Sequence, residues 1–288
     1  MSEKKLPPIS RTAATAAAFA FLSYRTDDML EKIIGIRGGE ASYFRCKFES
    51  RENGALKFGY VIDEIYKICY LIGRGTAGDT KSANAKSWLK YDLNLVCGED
   101  GEHNGFQNAG NQFFEWLKSE GVLEQYQVFV TGSHSQGSGY MQRVLLLLSR
   151  HYPTRKVEAN LFACPPYFKR GHELELSGFL QSSHCPMTVT RFEQPGDPIT
   201  TDLLRDDNSP FGWRNGVDIG NKYELPDLAL QKLGPAEAIN HSCRFQVASM
   251  IVDTSIRADE YYRASDGSTG EYLVVRNALN YAFDNCIN

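Results

Sequence analysis

The stretch VFVTGSHSQGSGYMQRVLLLLSR, residues 128–150, places an apolar, β-branched run before a group of Gly and Ser residues and an apolar helical run after it. This pattern predicts a strand that turns sharply into a helix. Two backbones that meet at so short a bend nearly touch, so the bend requires small side chains. Its central serine, Ser135, either fills a turn that merely needs small residues or is a nucleophile held where a substrate can reach it.

The rest of the chain alternates strand-like and helix-like segments. The apolar central strands are typical of a mostly parallel α/β sheet covered by helices on both faces, and turns at residues 53–54 and 63–64 predict antiparallel hairpins near the N-terminus. No linker is evident, so a single domain spanning residues 1–288 is expected. The predicted strands are residues 41–48, 55–63, 65–73, 93–97, 127–131, 157–164 and 187–193, the predicted helices are residues 9–32, 104–121, 136–151 and 271–285, and residues 200–240 are predicted to be loop and short helix.

Charge and hydropathy exclude several classes of partner. The formal net charge is -4 and Lys and Arg form no dense run, which argues against nucleic acid, or an anionic membrane surface bound by charge alone. No apolar stretch is long enough to span a bilayer. Residues 9–25 follow two lysines and resemble a signal peptide, but their alanine content favours an N-terminal helix of the fold. We therefore expect a chain that is not transmembrane and is cytoplasmic or secreted without a leader.

The cysteines predict free thiols rather than a disulfide framework. There are seven of them, an odd number, and none form a CxxC pair, which is typical of a reducing compartment. The sequence also lacks an HExxH motif and clustered ligand spacing, so it predicts neither a metal site nor a cofactor.

A serine nucleophile needs a base, and the order of residues along the chain selects one. In α/β hydrolases the nucleophile lies in a G-x-S-x-G turn and is followed along the chain by an acid and then a histidine. Ser135 has Gly137 in place, but Ser133 stands where the first Gly is expected. Asp197 follows a predicted strand, and His241 is the only histidine after it.

Plainer roles remain open for these residues. Asp197 lies in a Gly-Asp-Pro turn, where an aspartate often caps the turn, and His241 has a structural alternative. The weaker candidates for the acid are Asp202, Asp206 and Asp207. His134 is expected to pack or orient rather than act as the base, because a side chain next to the nucleophile points elsewhere at such a bend.

An ordered set of motifs over about residues 12–245 resembles the class 3 lipases, the fungal-lipase-like branch of the α/β hydrolases. The order of the motifs is more specific than any one of them. They are YLIGRGT (70–76), WLKYDL (88–93), EHNGFQNA (102–109), TGSHSQGSG (131–139), NLFACPP (160–166) and RFEQPGDPI (191–199).

This resemblance implies an α/β-hydrolase fold and a Ser-His-Asp triad. Ser135 would be the nucleophile, His241 the general base and acid, and Asp197 the residue that orients the histidine. It also implies an oxyanion hole formed by the N–H of Gln136 and by Thr76, through its N–H and with its hydroxyl as a further donor.

Three features of the chain qualify the resemblance. Ser133 replaces the first Gly of the G-x-S-x-G bend around Ser135, which we call the elbow. Gln136 replaces the Leu that usually follows the nucleophile. Residues 77–91, AGDTKSANAKSWLKY, correspond to the amphipathic lid of fungal members but contain few large apolar side chains. We therefore expect weak interfacial activation.

Two further residues of the motifs are expected to be structural. They are Arg74, paired with a carboxylate, and His103, at a helix start.

The expected activity is that of a carboxylic ester hydrolase of the lipase or phospholipase A type, with transient contact to a membrane surface. A phospholipid, lysolipid, monoacylglycerol or short soluble ester is at least as well supported as a triacylglycerol. Two alternatives are an acyltransferase with the same triad and a non-catalytic module that binds a lipid or a protein partner. Residues 246–288 extend beyond the resemblance and either complete the fold or bind a partner.

Overall fold

The computed structural model describes residues 10–24, 44–76, 85, 87–92, 101–182, 184–197, 199–200, 216–217 and 219–225. Several predictions fall outside these residues. They concern the strand at 93–97, most of the lid segment, the alternative acids Asp202, Asp206 and Asp207, the base His241, the last helix at 271–285 and the extension at 246–288.

The described residues form nine strands, five α-helices and one π-helical turn. The strands are β1 (Phe44–Arg51), β2 (Leu56–Asp63), β3 (Ile68–Gly73), β4 (Val128–His134), β5 (Lys156–Phe162), β6 (Phe168–Lys169), β7 (Met187–Glu193), β8 (Gly216–Val217) and β9 (Asn221–Glu224). The helices are α1 (Arg11–Leu22), α2 (Asn104–Ser119), α3 (Val122–Gln125), α4 (Gln136–His151) and α5 (Leu174–Gln181), and the π-helical turn is Trp88–Asp92.

Seven of these strands form one sheet in the order β1-β2-β3-β4-β5-β7-β9. β1, β2 and β3 pair antiparallel, and β3, β4, β5, β7 and β9 pair parallel. The predicted fold class, a mostly parallel sheet with antiparallel N-terminal strands, is therefore confirmed. The carboxyl ends of the parallel strands share one edge of this sheet, which we call the carboxyl edge.

Both predicted hairpin turns are present. Glu52, Asn53 and Gly54 all have positive φ between β1 and β2, a conformation that Asn and Gly tolerate well. Between β2 and β3, Asp63 Oδ1 accepts hydrogen bonds from the backbone N–H groups of Ile65 and Tyr66, both at 3.0 Å. These turns set the register of the antiparallel strands.

Helices cover both faces of the sheet. The alanine-rich α1 lies against β3, β4 and β5, and it approaches β4 so closely that a Cβ on Gly132 would lie 2.3 Å from the Ala16 carbonyl oxygen. On the other face, α2 and α4 bury an aromatic cluster in which the rings of Phe58 and Phe113 stack with centroids 4.6 Å apart. The strands between the two layers are buried on both sides, as a parallel sheet requires.

The segment predicted to be loop and short helix contains two strands, β8 and β9. β9 has the sequence NKYE, in which only Tyr223 is buried. A short strand with one buried side chain carries no hydrophobic periodicity, and its pairing with β7 comes from tertiary contact. The helix predicted at 9–32 is described over Arg11–Leu22 and is followed by a turn.

Within the described part of the chain, no helix combines the length and the apolar character needed to cross a bilayer. The cysteines in that part of the chain are free thiols, which are buried at Cys69 and Cys164 and half-buried at Cys46 and Cys185.

Candidate active site

Ser135 forms the bend between β4 and α4. Its backbone has φ 53° and ψ -123°, a region that L residues rarely occupy, and it is the N-cap of α4. The Ser135 N–H donates to the Phe162 carbonyl oxygen at 2.9 Å, and the Ser135 carbonyl accepts from the Gly139 N–H at 3.1 Å. Bonds on both sides of the residue hold the strained conformation in place.

The bend is crowded because β3 touches the start of α4. A Cβ on Gly137 would lie 2.2 Å from the Gly73 carbonyl oxygen, so a larger residue has no space there. Gly73 is also the register partner of Ser133. A Cβ on Gly73 would lie 3.1 Å from the Ser133 Cβ. The missing side chain on Gly73 therefore makes room for the serine that departs from the expected G-x-S-x-G pattern.

His134 points to the side of the sheet that α1 covers. Its Nδ1 lies 2.7 Å from the Tyr24 hydroxyl oxygen, and the two rings meet edge to face with centroids 5.9 Å apart. A Cβ on Gly75 would lie 2.1 Å from the Tyr24 hydroxyl oxygen. His134 thus packs on Tyr24, in the turn that follows α1, and lies beside Gly75, the residue that precedes Thr76.

Asp197 lies in a turn that follows β7 and is fully buried. Its Oδ1 accepts from the Ile199 N–H at 2.9 Å, and its own N–H donates to the Gln194 carbonyl oxygen at 3.1 Å. It therefore caps its turn. β4 and β7 flank β5 in the parallel sheet, so Ser135 and Asp197 both follow strands at the carboxyl edge, two strand spacings or roughly 10 Å apart.

The two residues expected to form an oxyanion hole contact the same carboxylate. The Thr76 hydroxyl donates to Asp92 Oδ2 at 2.6 Å, and Gln136 Nε2 donates to Asp92 Oδ1 at 3.1 Å. Gln136 Nε2 also lies 3.0 Å from Ser87 Oγ. Neither Asp92 nor Ser87 stands out in the sequence as a site residue, although Asp92 lies within the WLKYDL motif that carries part of the resemblance.

His103 is the N-cap of α2, and its Nδ1 accepts from the Phe106 N–H at 3.3 Å. Burial lowers the pKa of His103 to about 4, although a hydrogen bond with the backbone of Asp92 opposes this effect. Its ring stacks on Phe106 with centroids 4.0 Å apart. The structure thus ties the start of α2 to Asp92.

Arg74 is buried, and its guanidinium donates to the Gly54 carbonyl oxygen in the turn between β1 and β2. Its own N–H donates to the Lys57 carbonyl oxygen at 3.2 Å. These contacts join the residue to the antiparallel part of the sheet.

No group of three or more His, Cys, Asp or Glu side chains within the described ranges is arranged to hold a metal ion.

Neither a protein-family profile nor a curated protein sequence matches the chain. Solved structures do match. The triacylglyceride lipase of Rhizomucor miehei is 16% identical with a TM-score of 0.53, over 75% of this chain and 79% of that one. The Lip2 lipase of Yarrowia lipolytica is 15% identical with a TM-score of 0.51, over 74% and 77%. The triacylglycerol lipase of Penicillium expansum is 14% identical with a TM-score of 0.50, over 76% and 82%.

At these identities the likeness establishes the fold. The resemblance predicted from the ordered motifs is confirmed at that level, since the matching chains are fungal lipases. The chain therefore has the α/β-hydrolase fold that is found in the fungal triacylglycerol lipases.

Proposed function

We propose that this chain is a serine carboxylester hydrolase that cleaves a lipid ester. The observation that carries the proposal is the backbone of Ser135, whose φ of 53° and ψ of -123° lift the residue out of the strand at the N-terminus of α4. A turn that needed only small residues could use Gly there without strain. A serine kept in this conformation at the carboxyl edge of an α/β-hydrolase sheet supports a nucleophile.

The proposed reaction has two halves. Ser135 Oγ attacks the ester carbonyl carbon while His241 accepts its proton, and Asp197 orients the imidazole. The tetrahedral intermediate then collapses, its C–O bond to the alcohol breaks, and the alcohol leaves with the proton from His241. Water, deprotonated by His241, attacks the acyl group on Ser135, and the acid departs as Oγ regains its proton.

The proposed oxyanion donors are the backbone N–H groups of Thr76 and Gln136. A hydroxyl has a single proton, and that of Thr76 is directed at Asp92 Oδ2 at 2.6 Å, so the hydroxyl holds Thr76 in place rather than serving the substrate. The Gln136 N–H lies in the first turn of α4, where the helix dipole favours negative charge. Each donor would lower the barrier by about 3 kcal/mol.

The proposed substrates are phospholipids, lysolipids, monoacylglycerols or short soluble esters. Two of the three structural neighbours described above are named for triacylglycerol or triacylglyceride. The largely polar residues 77–91 argue for a different preference in this chain, because a lid with little apolar surface gains little from contact with an oil droplet.

Reaction with a fluorophosphonate probe tests the proposal. We expect mass spectrometry to find the adduct on Ser135, no adduct in Ser135→Ala, and strongly reduced labelling in His241→Ala and Asp197→Ala. Ser149→Ala removes a serine from the last turn of the same helix and should label like the wild type. Lack of labelling in folded wild-type protein, with and without detergent or lipid, would contradict the proposal and favour a non-catalytic lipid-binding or protein-binding module.

A further inference from the structure

The backbone and the side chain of Gln136 have separate roles at the elbow. Its backbone N–H is a proposed oxyanion donor, and its side chain, which is buried, reaches Asp92 and Ser87. Ser87 Oγ in turn lies 3.3 Å from Gln136 Oε1, so both ends of the amide have partners. A buried amide with partners at both ends is held in one orientation.

The carboxylate that receives this amide also receives the other proposed donor residue. Asp92 accepts from Gln136 on Oδ1 and from Thr76 on Oδ2, so one planar group connects the segment that follows β3 to the start of α4. These two oxygens are fixed relative to each other by covalent geometry. The distance between the Thr76 and Gln136 backbones is therefore set partly by a carboxylate bridge.

Asp92 is itself anchored from a third direction. His103, the N-cap of α2, forms a hydrogen bond with the Asp92 backbone. Gly105 allows α2 to approach Tyr91, the residue before Asp92, because a Cβ on Gly105 would lie 2.2 Å from the Tyr91 carbonyl oxygen. The bridge consequently rests on a buried helix end rather than on a free loop.

We propose that the Gln136 side chain is a positioning residue that holds the Thr76 and Gln136 oxyanion donors at their working separation through Asp92. The inference rests on the proposed function and adds a residue to it. Oxyanion donors act only if they are in place before charge develops, and displacements of about 1 Å cost on the order of a hundredfold in rate. An apolar side chain at position 136 would remove the hydrogen bond from Gln136 Nε2 to Asp92 Oδ1.

Steady-state kinetics of Gln136→Leu on a short soluble ester tests the inference. We expect kcat to fall about tenfold to a hundredfold with little change in KM, because the donors matter most in the transition state. Gln142→Leu is the matched control. It removes a buried amide from the same helix, where Nε2 donates to the Pro165 carbonyl oxygen at 3.1 Å, and it should keep the wild-type kcat.

A second variant separates positioning from general loss of structure. In Gln136→Glu, two carboxylates face each other, so the higher of the two apparent pKa values of the pair rises above the ordinary carboxyl range. The protonated form can donate to Asp92 again, whereas the ionised form repels it. The ratio of variant kcat to wild-type kcat should therefore rise as pH falls from about 8 to about 5.5, and a purely structural defect would leave this ratio flat.

The outcomes separate the inference from the function on which it rests. A wild type that labels and hydrolyses esters, with Gln136→Leu at the same kcat and a flat ratio for Gln136→Glu, overturns the inference alone. A folded wild type that neither labels nor hydrolyses overturns both. A selective fall in kcat for Gln136→Leu, absent from Gln142→Leu, supports the inference.

Discussion

At the scale of single residues, the conformation of Ser135 has a cost in stability that its neighbours offset. A non-glycine residue in a sparsely populated φ/ψ region costs on the order of 1–3 kcal/mol. The N–H bond to Phe162 and the close contact of Gly137 with Gly73 fix the chain on both sides of the bend. The conformation is thus determined by the packing of β3, β4 and α4, and the serine itself does not favour it.

Replacement of Ser135 by Gly and by Ala should reveal this strain. Both variants lack Oγ, so neither should react with a fluorophosphonate. Glycine accepts positive φ freely, so Ser135→Gly should be more stable than Ser135→Ala by about 1 kcal/mol, even after allowing for the greater flexibility of unfolded glycine. Urea unfolding of the two variants measures the difference.

Ser149 provides the control pair for this comparison because it lies in the ordinary helical backbone of α4. There the order should reverse, with Ser149→Ala more stable than Ser149→Gly by about 1 kcal/mol. The same order at both positions would show that the elbow carries no strain.

At the scale of secondary-structure elements, the sequence predicts those parts of the fold whose signal is local. α4 and β7 begin and end as predicted, because an apolar helical run and a β-branched run mark them clearly. The elbow at Ser135 is also visible locally, since small residues crowd one short stretch. The bridge from Gln136 to Asp92 and Ser87 is different: its residues lie 44 and 49 positions apart in sequence, and only the tertiary fold brings them together. The π-helical turn that carries Asp92 packs on α2, and this places it beside the start of α4.

The start of α2 links stability to pH. His103 is neutral in the folded protein because burial lowers its pKa to about 4, whereas an unfolded histidine has a pKa of about 6.5. Its Nδ1 accepts from the Phe106 N–H, so the proton of the neutral ring lies on Nε2. Between these two pKa values the unfolded state binds more protons than the folded state, so acid favours unfolding.

Acidification should therefore destabilise the wild type in a defined window. The contribution of His103 is fully present above about pH 6.5 and is lost as pH falls toward about 4. About 2 kcal/mol should be lost between pH 7.5 and pH 5. Urea unfolding of His103→Asn, which keeps a side chain able to cap α2, should lack this part of the pH dependence. The exposed His184→Asn should retain it, and equal pH dependence in the wild type and His103→Asn would contradict the assignment.

At the scale of the whole molecule, the exposed apolar side chains of the described residues lie away from the elbow. Ile65 and Tyr66 occupy the turn before β3, at the edge of the sheet opposite Ser135. Leu174 precedes Glu175, which pairs with Arg150 in the last turn of α4. That turn is about 22 Å along the helix from its start. None of these three side chains is placed to guide a lipid surface to Ser135.

This distribution and the polar composition of residues 77–91 together predict little interfacial activation. Such activation is the subject of the structure of a fungal lipase–inhibitor complex with the same fold. A lipid surface stabilises an open lid by covering the apolar area that opening exposes, at about 25 cal/mol per Å². Trp88 and Leu89 are the main large apolar side chains in residues 77–91, so the free energy that a lipid surface could contribute in this chain is small. With a short-chain glycerol ester, the rate should rise smoothly through the solubility limit, while a fungal triacylglycerol lipase assayed alongside shows a jump. An equally steep jump for this chain would mean that an apolar surface elsewhere responds to the interface.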